Sequence, residues 1–291
     1  MSTAPKSPAY AVIIPHYNDV VRLEKCLAAL APQLDGSGEV VVADNNSTAD
    51  LEPLKAAFGQ VRFVTAMEKG AAAARNCGVD QTTAPYLLFL DADCVPGPTW
   101  VATAFAVAQR VDLAGGRVGT FDETPAPRSG AEAFETVFAF QQKRYVEEVG
   151  FSVTANLVTS RAIFEDVGPY RGGMSEDMDW CFRAKDKGYA LEYSDEMAVT
   201  HPTRSDWPAL TKKWRRTTHE MFHLNGTSLG KRLKWLARIG LILGAALPYT
   251  LKIWRSDKLE GAGEKMRATG TLWRLHLTRG GWMLRQAVTG K

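Results

Sequence analysis

The sequence predicts an α/β fold: a Rossmann-like, mostly parallel sheet flanked by helices, followed by a basic helical C-terminal extension. Three observations carry that expectation. Short apolar runs alternate with helix-like stretches four times over about the first ninety residues, the pattern of a parallel sheet covered by helices. The apolar runs end in polar residues, which parallel strands would deliver to one sheet edge, where ligands bind in open α/β folds. The charge is also split. Residues 1–200 carry 17 Lys/Arg against 27 Asp/Glu, whereas residues 201–291 carry 18 against 5, so the C-terminal part is built to face an anionic surface.

Taken in order, Ala11 to Pro15 reads as a buried strand stopped by its proline. Asp19 is placed to cap a helix whose apolar face is Leu23, Leu27, Leu30 and Leu34. Gly36 and Gly38 precede a second strand, Glu39 to Ala43, which runs into Asp44 and the turn residues Asn45-Asn46-Ser47-Thr48. Residues 50–58 are helix-like, Val61 to Val64 is a short third strand, and the alanine-rich stretch from Gly70 starts a helix. The fourth strand, Tyr86 to Leu90, is too short and apolar for a helix and suits a strand buried on both faces.

That strand runs straight into Asp91-Ala92-Asp93. Two hard oxygen ligands at one sheet edge suit Mg²⁺ or Mn²⁺, ions held by one or two carboxylates plus substrate phosphates. The same residues also fit an ordinary turn before Pro96-Gly97-Pro98. Polar endings on the neighbouring strands, Pro15-His16-Tyr17-Asn18 and Asp44-Asn45, favour a site over a turn alone.

At 291 residues the chain holds one large α/β domain plus an appendage, and 45% hydrophobic with 23% charged residues is ordinary for a globular protein. Cys26, Cys77, Cys94 and Cys181 are scattered without zinc-ligand spacing and read as buried thiols of a reducing compartment. Met1 to Tyr10 lacks the long apolar core of a secretory signal.

Five segments in register resemble the successive motifs of family 2 nucleotide-sugar glycosyltransferases: Val12 to Asn18, Val41 to Ser47, Gly70 to Gly78, Leu90 to Asp93, and Ser175 to Trp180 followed by Arg183 and Gly188-Tyr189. The resemblance covers about residues 10–201. It implies the GT-A fold, with residues 1–205 as catalytic domain (donor half about 1–115, acceptor half about 116–205) and 206–291 as a basic amphipathic region. It also implies roles. Pro15, His16, Tyr17 and Asn18 would line the nucleoside pocket, and Asp44, with Asn45 beside it, would hydrogen-bond the base, usually uracil. Arg75 would sit beside base or phosphates. Asp91 would contact ribose or a metal-bound water, Asp93 would ligate a Mn²⁺ or Mg²⁺ ion on the diphosphate, and His201 would add a metal ligand or phosphate contact. Asp177 would be the general base for the acceptor hydroxyl, supported by Glu176.

The implied activity is inverting transfer of a sugar from a nucleoside diphosphate sugar, UDP-linked, to a glycan or lipid-linked acceptor in cell-surface polysaccharide or glycolipid synthesis. A base in that role must stay ionised yet partly desolvated, so its pKa is expected above the reference of about 4. A nucleotidyltransferase is the alternative, but Pro15 to Val20 contains no glycine for a phosphate loop. A non-catalytic protein with a nucleic-acid-binding or membrane-binding tail is another; the acidic first 200 residues argue against nucleic acid as a partner.

After His201-Pro202 the resemblance thins. Residues 131–147 read as one helix-like run, and Thr154-Ala155-Asn156 looks like the family's small-residue segment that borders the donor sugar. Lys212-Lys213-Trp214-Arg215-Arg216 is basic and aromatic, placed to reach a diphosphate. The apolar run Ile239 to Tyr249 falls short of the ~20 residues of a spanning helix and is interrupted by Pro248, so an interfacial or re-entrant segment is expected. With Trp273, Leu277, Leu284 and Val288 on one later helical face, the tail predicts a cytoplasmic enzyme peripheral at the inner face of the cytoplasmic membrane, against an anionic surface.

Overall fold

The structure, a computed structural model, describes residues 7–290; residues 1–6, part of the stretch read above as lacking a secretory signal, lie outside the described residues. Two compact units are present. One comprises residues 7–119, 141–172 and 176–201, the other 120–140, 173–175 and 202–290.

The first unit is built on a sheet whose strands are β1 (Tyr10–His16), β2 (Glu39–Asp44), β3 (Val61–Thr65), β4 (Tyr86–Leu90), β5 (Val95–Pro96), β6 (Leu113–Phe121), β7 (Asn156–Ser160) and β8 (Leu191–Pro202), in the order β3-β2-β1-β4-β7-β6-β8-β5. The first four strands pair in parallel, and β7 joins antiparallel to both β4 and β6. The order 3-2-1-4 reverses between β1 and β4, so the carboxyl ends of these two strands flank the switch point, the place where open α/β sheets take their ligands. The chain therefore has the expected α/β sheet flanked by helices; the expected parallel pairing holds for β3-β2-β1-β4, while β7 pairs antiparallel with β4 and β6 and β5 with β8, so the sheet as a whole is mixed.

Helices α1 (Val20–Leu30), α2 (Glu52–Ala57), α3 (Ala71–Asp80) and α4 (Trp100–Ala108) cover the parallel strands. Asp19 caps α1 by accepting from the Arg22 amide, and Leu23, Leu27 and Leu30 are fully buried as the periodicity required, whereas Leu34 lies beyond the helix, after the turn Ala31–Gln33. Gly78 lets α3 approach β1 closely, since a Cβ there would lie 2.7 Å from Ile13 Cγ2. The residues β1 and β4 bury, Val12 to Ile14 and Leu87 to Leu90, have no measurable exposure, as strands covered on both faces demand.

Residues 131–147 do not form one helix. Helix α5 (Gly130–Phe138), capped by a reciprocal Ser129–Glu132 box, ends before Phe140, whose φ is +50°, and the chain resumes as the short α6 (Gln142–Arg144) and a π-helical turn, Tyr145–Val149. Helices α7 (Arg161–Val167) and α8 (Glu176–Asp186) pack through Trp180, which stacks on Phe164 and donates to the Gly168 carbonyl.

In the second unit α5 packs with α9 (Trp207–Asn225), α10 (Leu229–Arg255) and α11 (Gly261–Thr289) around Phe134, Leu210, Ile253, Leu272 and Leu275. Arg274 and Arg279 of α11 lie over the rings of Trp207 and Trp214, fastening α9 to α11 by cation–π contacts. Buried Glu135 is held by Arg204 and Lys213. The interruption expected at Pro248 does not occur: α10 runs 27 residues with Pro248 inside it. A proline there forgoes one backbone bond, to residue 244, and the helix continues because Trp235, Ala246 and Ile253 on either side are buried. By length and composition α10 is thus long and apolar enough to cross a membrane.

Candidate active site

The carboxyl ends of β1, β2 and β4 and the start of α8 carry the site residues. Beyond β4 the chain makes a tight turn closed by the Cys94 amide on the Asp91 carbonyl, so turn and site are the same residues. Asp93 Oδ2 lies 3.0 Å from His201 Nε2, at the far end of β8 and 108 positions later in sequence. Two ligands at adjacent corners of an octahedral ion, each about 2.1 Å from it, are roughly 3.0 Å apart, so this pair fits one divalent cation whose other positions would go to water and diphosphate oxygens. Among the described residues no group of three or more His, Cys, Asp or Glu side chains forms a metal cage.

Asp91 turns the other way. Its Oδ1 accepts from Arg75 Nη2 at 2.7 Å, and Arg75 Nη1 donates to Glu176 Oε1 at 3.1 Å. Arg75, on α3, is 4% exposed and ties the β4 turn to the first turn of α8 across 101 sequence positions. Burial disfavours its charge, but Asp91, Asp177 and Glu176 together hold the guanidinium protonated more firmly than usual. Its Nε is buried with no hydrogen-bond partner among the described residues.

Asp177 follows Glu176 in the first turn of α8, and the Thr154 hydroxyl donates to its Oδ1. Burial is the main influence on this carboxyl and raises it; Arg75 pulls it down, Glu176 pushes it up again, Thr154 stabilises the ionised form, and Asp91 adds to the rise. The outcome is a pKa pushed up to about 6. Asp179 in the same turn bonds Arg183 at 2.8 Å, and Arg183 in turn donates to the carbonyls of Val167 and Pro169, so this acid secures the α7–α8 loop.

The ends of β1 and β2, where the nucleoside pocket was expected, are a set of interlocked turns. His16 Nδ1 donates to Asp44 Oδ1 at 2.9 Å while Nε2 accepts the Asp19 amide at 3.1 Å, so both ring nitrogens are used within the loop and fix the tautomer. His16 thereby positions Asp44 and offers no free polar atom to a ligand. Asp44 also accepts from the Ser47 hydroxyl and amide, which leaves Oδ2 with one donor and room for another. Burial raises the Asp44 carboxyl, yet the bonds from Ser47 and His16 outweigh it and hold it below the usual carboxylate range. Asn18, at φ +53°, accepts the Thr48 and Ala49 amides, and Asn45 links the Ala66 and Glu68 carbonyls to the Gly70 amide at the start of α3. Both asparagines build the loops. Next to partly buried Pro15 and buried His16, the Tyr17 ring is 62% exposed, an aromatic face open for stacking.

Two residues of the Thr154-Ala155-Asn156 segment have roles that the sequence did not show. Thr154 carries a hydroxyl onto Asp177, and fully buried Asn156 accepts from Trp100 Nε1 while donating to the carbonyls of Arg117 and Met197, joining β6, β7, β8 and α4. A small polar segment was visible there; its partners, 23 to 56 positions away, were not.

A profile of the family described as "Glycosyl transferase family 2" matches residues 11–168, more than half of the chain and all of the parallel strands. The chain belongs to glycosyl transferase family 2. The family 2 chain is 31% identical over 221 residues to the glycosyltransferase AglE of Haloferax volcanii, an alignment covering 72% of this chain and 71% of that one. Its fold is shared with the mannosyltransferase PcManGT of Pyrobaculum calidifontis, solved with GDP-Man and Mn²⁺ (TM-score 0.53, 17% identity, 99% of this chain and 76% of that one). It is shared likewise with residues 1–349 of TarS from S. aureus, solved with UDP-GlcNAc (TM-score 0.54, 16% identity, 92% and 72%). The protein is a glycosyltransferase with the GT-A fold.

Proposed function

We propose that this glycosyltransferase inverts the anomeric centre in a single displacement, taking a sugar from a nucleoside diphosphate to a hydroxyl of a glycan or lipid-linked acceptor. The observation that carries this reading is the placing of Asp177 in the first turn of α8, with the Thr154 hydroxyl on its Oδ1 and the Arg75–Glu176 pair beside it; burial pushes this carboxyl up to about 6, close enough to neutrality to accept a proton and still be largely ionised at pH 7. A single displacement needs one base and no carboxylate nucleophile, in contrast to the paired carboxyls of a retaining glycosidase.

The residues divide the work. Tyr17 stacks on the base and Asp44 Oδ2 reads its edge, held in place by His16 and Ser47. Asp93 and His201 would hold a Mn²⁺ or Mg²⁺ ion, which when bound neutralises charge on the departing diphosphate. Arg75 keeps Asp91 and Glu176 at a fixed spacing. Thr154 aims one oxygen of Asp177 inward, and the other takes the proton of the acceptor hydroxyl. The donor nucleoside is proposed to be uridine, with neighbours of the same fold bound to both UDP- and GDP-sugars. A helical C-terminal region, residues 206–291, would bring the catalytic domain, 1–205, to the cytoplasmic face of an anionic membrane.

The test is transfer from UDP-glucose, UDP-GlcNAc and GDP-mannose, each with Mn²⁺, into a total lipid extract, with the anomeric configuration of the product read by NMR. One donor is expected to label an organic-extractable product of inverted configuration. A product that retains configuration overturns the single displacement.

A further inference from the structure

Within the second unit, α9 and α11 enclose a cavity of about 840 Å³. Its α9 wall presents Lys212, Arg215, Arg216 and His219, spaced three and four residues apart and so on one helical face; its α11 wall presents Arg285 and Trp282. The other basic side chains of this unit that face its core have partners: Lys213 and Arg204 hold Glu135, Arg128 holds Glu264, and Arg274 and Arg279 lie on tryptophans. In the cavity only Arg216 has a carboxylate, Glu220, at a loose 3.8 Å, and among the described residues Lys212, Arg215 and Arg285 form no ion pair. Lys212, Arg215 and Arg285 thus face one concave, solvent-open wall without a counter-charge, a set of donors free to close on an anion. The volume exceeds what a single free phosphate fills and lies in the range of organic ligand sites.

The surroundings say what carries that anion. Leu284 and Val288, the α11 neighbours of Arg285 and Thr289 on the cavity rim, are each at least half exposed, as is Leu277 one to two turns earlier. On α10, Leu229, Leu233, Leu241 and Leu247 are likewise more than half exposed, and its most apolar 18-residue window is only 11% buried. A core helix of that composition would be covered. Gln286 of the cavity wall accepts from Trp235 Nε1 of α10, so cationic cavity and apolar helix are parts of one packed assembly.

We propose that the cavity is a phosphate site and that it takes the phosphorylated head of a long-chain lipid, its hydrocarbon lying along the exposed faces of α10 and α11. This goes beyond the proposed transfer reaction, resting on it only for the thought that a lipid carries the acceptor. Recognition uses charge-assisted hydrogen bonds from Arg215 and Arg285, with Lys212 as a point charge and Trp282 flanking the first methylenes.

Vesicle flotation of the full-length protein, without nucleotide sugar, tests it. The probes are phosphatidylcholine vesicles containing a long-chain alkyl monophosphate, and phosphatidylcholine vesicles brought to the same charge with phosphatidylglycerol, each with and without inorganic phosphate as soluble competitor. Wild type is expected to prefer the alkyl monophosphate. The Lys212→Ala/Arg215→Ala/Arg285→Ala protein is expected to lose about a hundredfold on the alkyl monophosphate vesicles, at about tenfold for each charge-assisted hydrogen bond from Arg215 and Arg285, and far less on the phosphatidylglycerol vesicles, with its thermal unfolding unchanged. A Lys231→Ala/Lys234→Ala/Arg255→Ala control on α10 is expected to weaken both vesicle types alike and keep the preference. Equal loss on both vesicle types in the cavity triple variant, or no loss, overturns the site. Inorganic phosphate that shifts the unfolding temperature of wild type while the alkyl monophosphate vesicles go unbound overturns the lipid assignment. Asp177→Asn is expected to float like wild type, so a failure here is separable from a failure of the transfer reading.

Discussion

Replacing Asp177 with Asn separates the chemistry of this residue from its cost to the fold. The carboxyl rises from 3.8 to about 6, and at about 1.36 kcal/mol per unit the folded protein disfavours the ionised form by at most about 3 kcal/mol. Partial solvent access brings a realistic figure to about 1–2 kcal/mol. The sign follows from linkage. A folded-state pKa above the unfolded value gives stability that is fully present below about pH 4 and is lost as pH rises through about 6. Asn stays neutral throughout and keeps an oxygen for the Thr154 hydroxyl. The variant should therefore gain stability relative to wild type between about pH 4 and pH 7, a gain of a few degrees in unfolding temperature. Transfer should fall by about 10² to 10⁴-fold, the usual contribution of a positioned base, with donor affinity unchanged. Differential scanning fluorimetry across that pH range and initial rates at neutral pH give both quantities. A stability difference flat with pH would refute the environment assigned to Asp177, and near-normal transfer would refute its role.

Two more outcomes follow from buried charges. Arg75→Met leaves Asp91 and Glu176 facing each other without their cation, so unfolding in urea should show a loss of about 3–5 kcal/mol, and because Arg75 also holds the Asp177 carboxyl down, the acid limb of the pH–rate profile should move upward. In the second unit Glu135→Gln strands Arg204 and Lys213; a comparable loss is expected by thermal denaturation, with no shift in the pH–rate profile.

How much of this was readable beforehand depends on the range of the signal. Local apolar runs announced β1, β2, β3 and β4, and the leucine spacing of α1 announced its buried face, because burial on a sheet or along a helix stripe imposes a short period on the chain. The polar strand ends, with Asp91 and Asp93 among them, were legible for the same reason. Pairings between distant positions were not. Nothing local says that Arg75 meets Glu176, that Thr154 donates to Asp177, or that His16 directs both nitrogens inward and works as scaffold. The closeness of His201 and Asp93 came only through family likeness. Pro248 misled because a proline breaks an isolated helix, whereas here buried neighbours on either side hold α10 together. The expected helix over 131–147 failed at Phe140, where the backbone enters the left-handed region and periodicity carries no warning.

The central claim is that Asp93 and His201 form the protein's share of a divalent-cation site for the donor diphosphate. Titration calorimetry of UDP and GDP into wild type and Asp93→Ala, each with Mn²⁺ and with EDTA, measures it most directly. One nucleotide should bind wild type tightly with Mn²⁺ and at least tenfold more weakly with EDTA, and Asp93→Ala should bind it weakly in both. Equal affinity of the two proteins in Mn²⁺ would contradict the account.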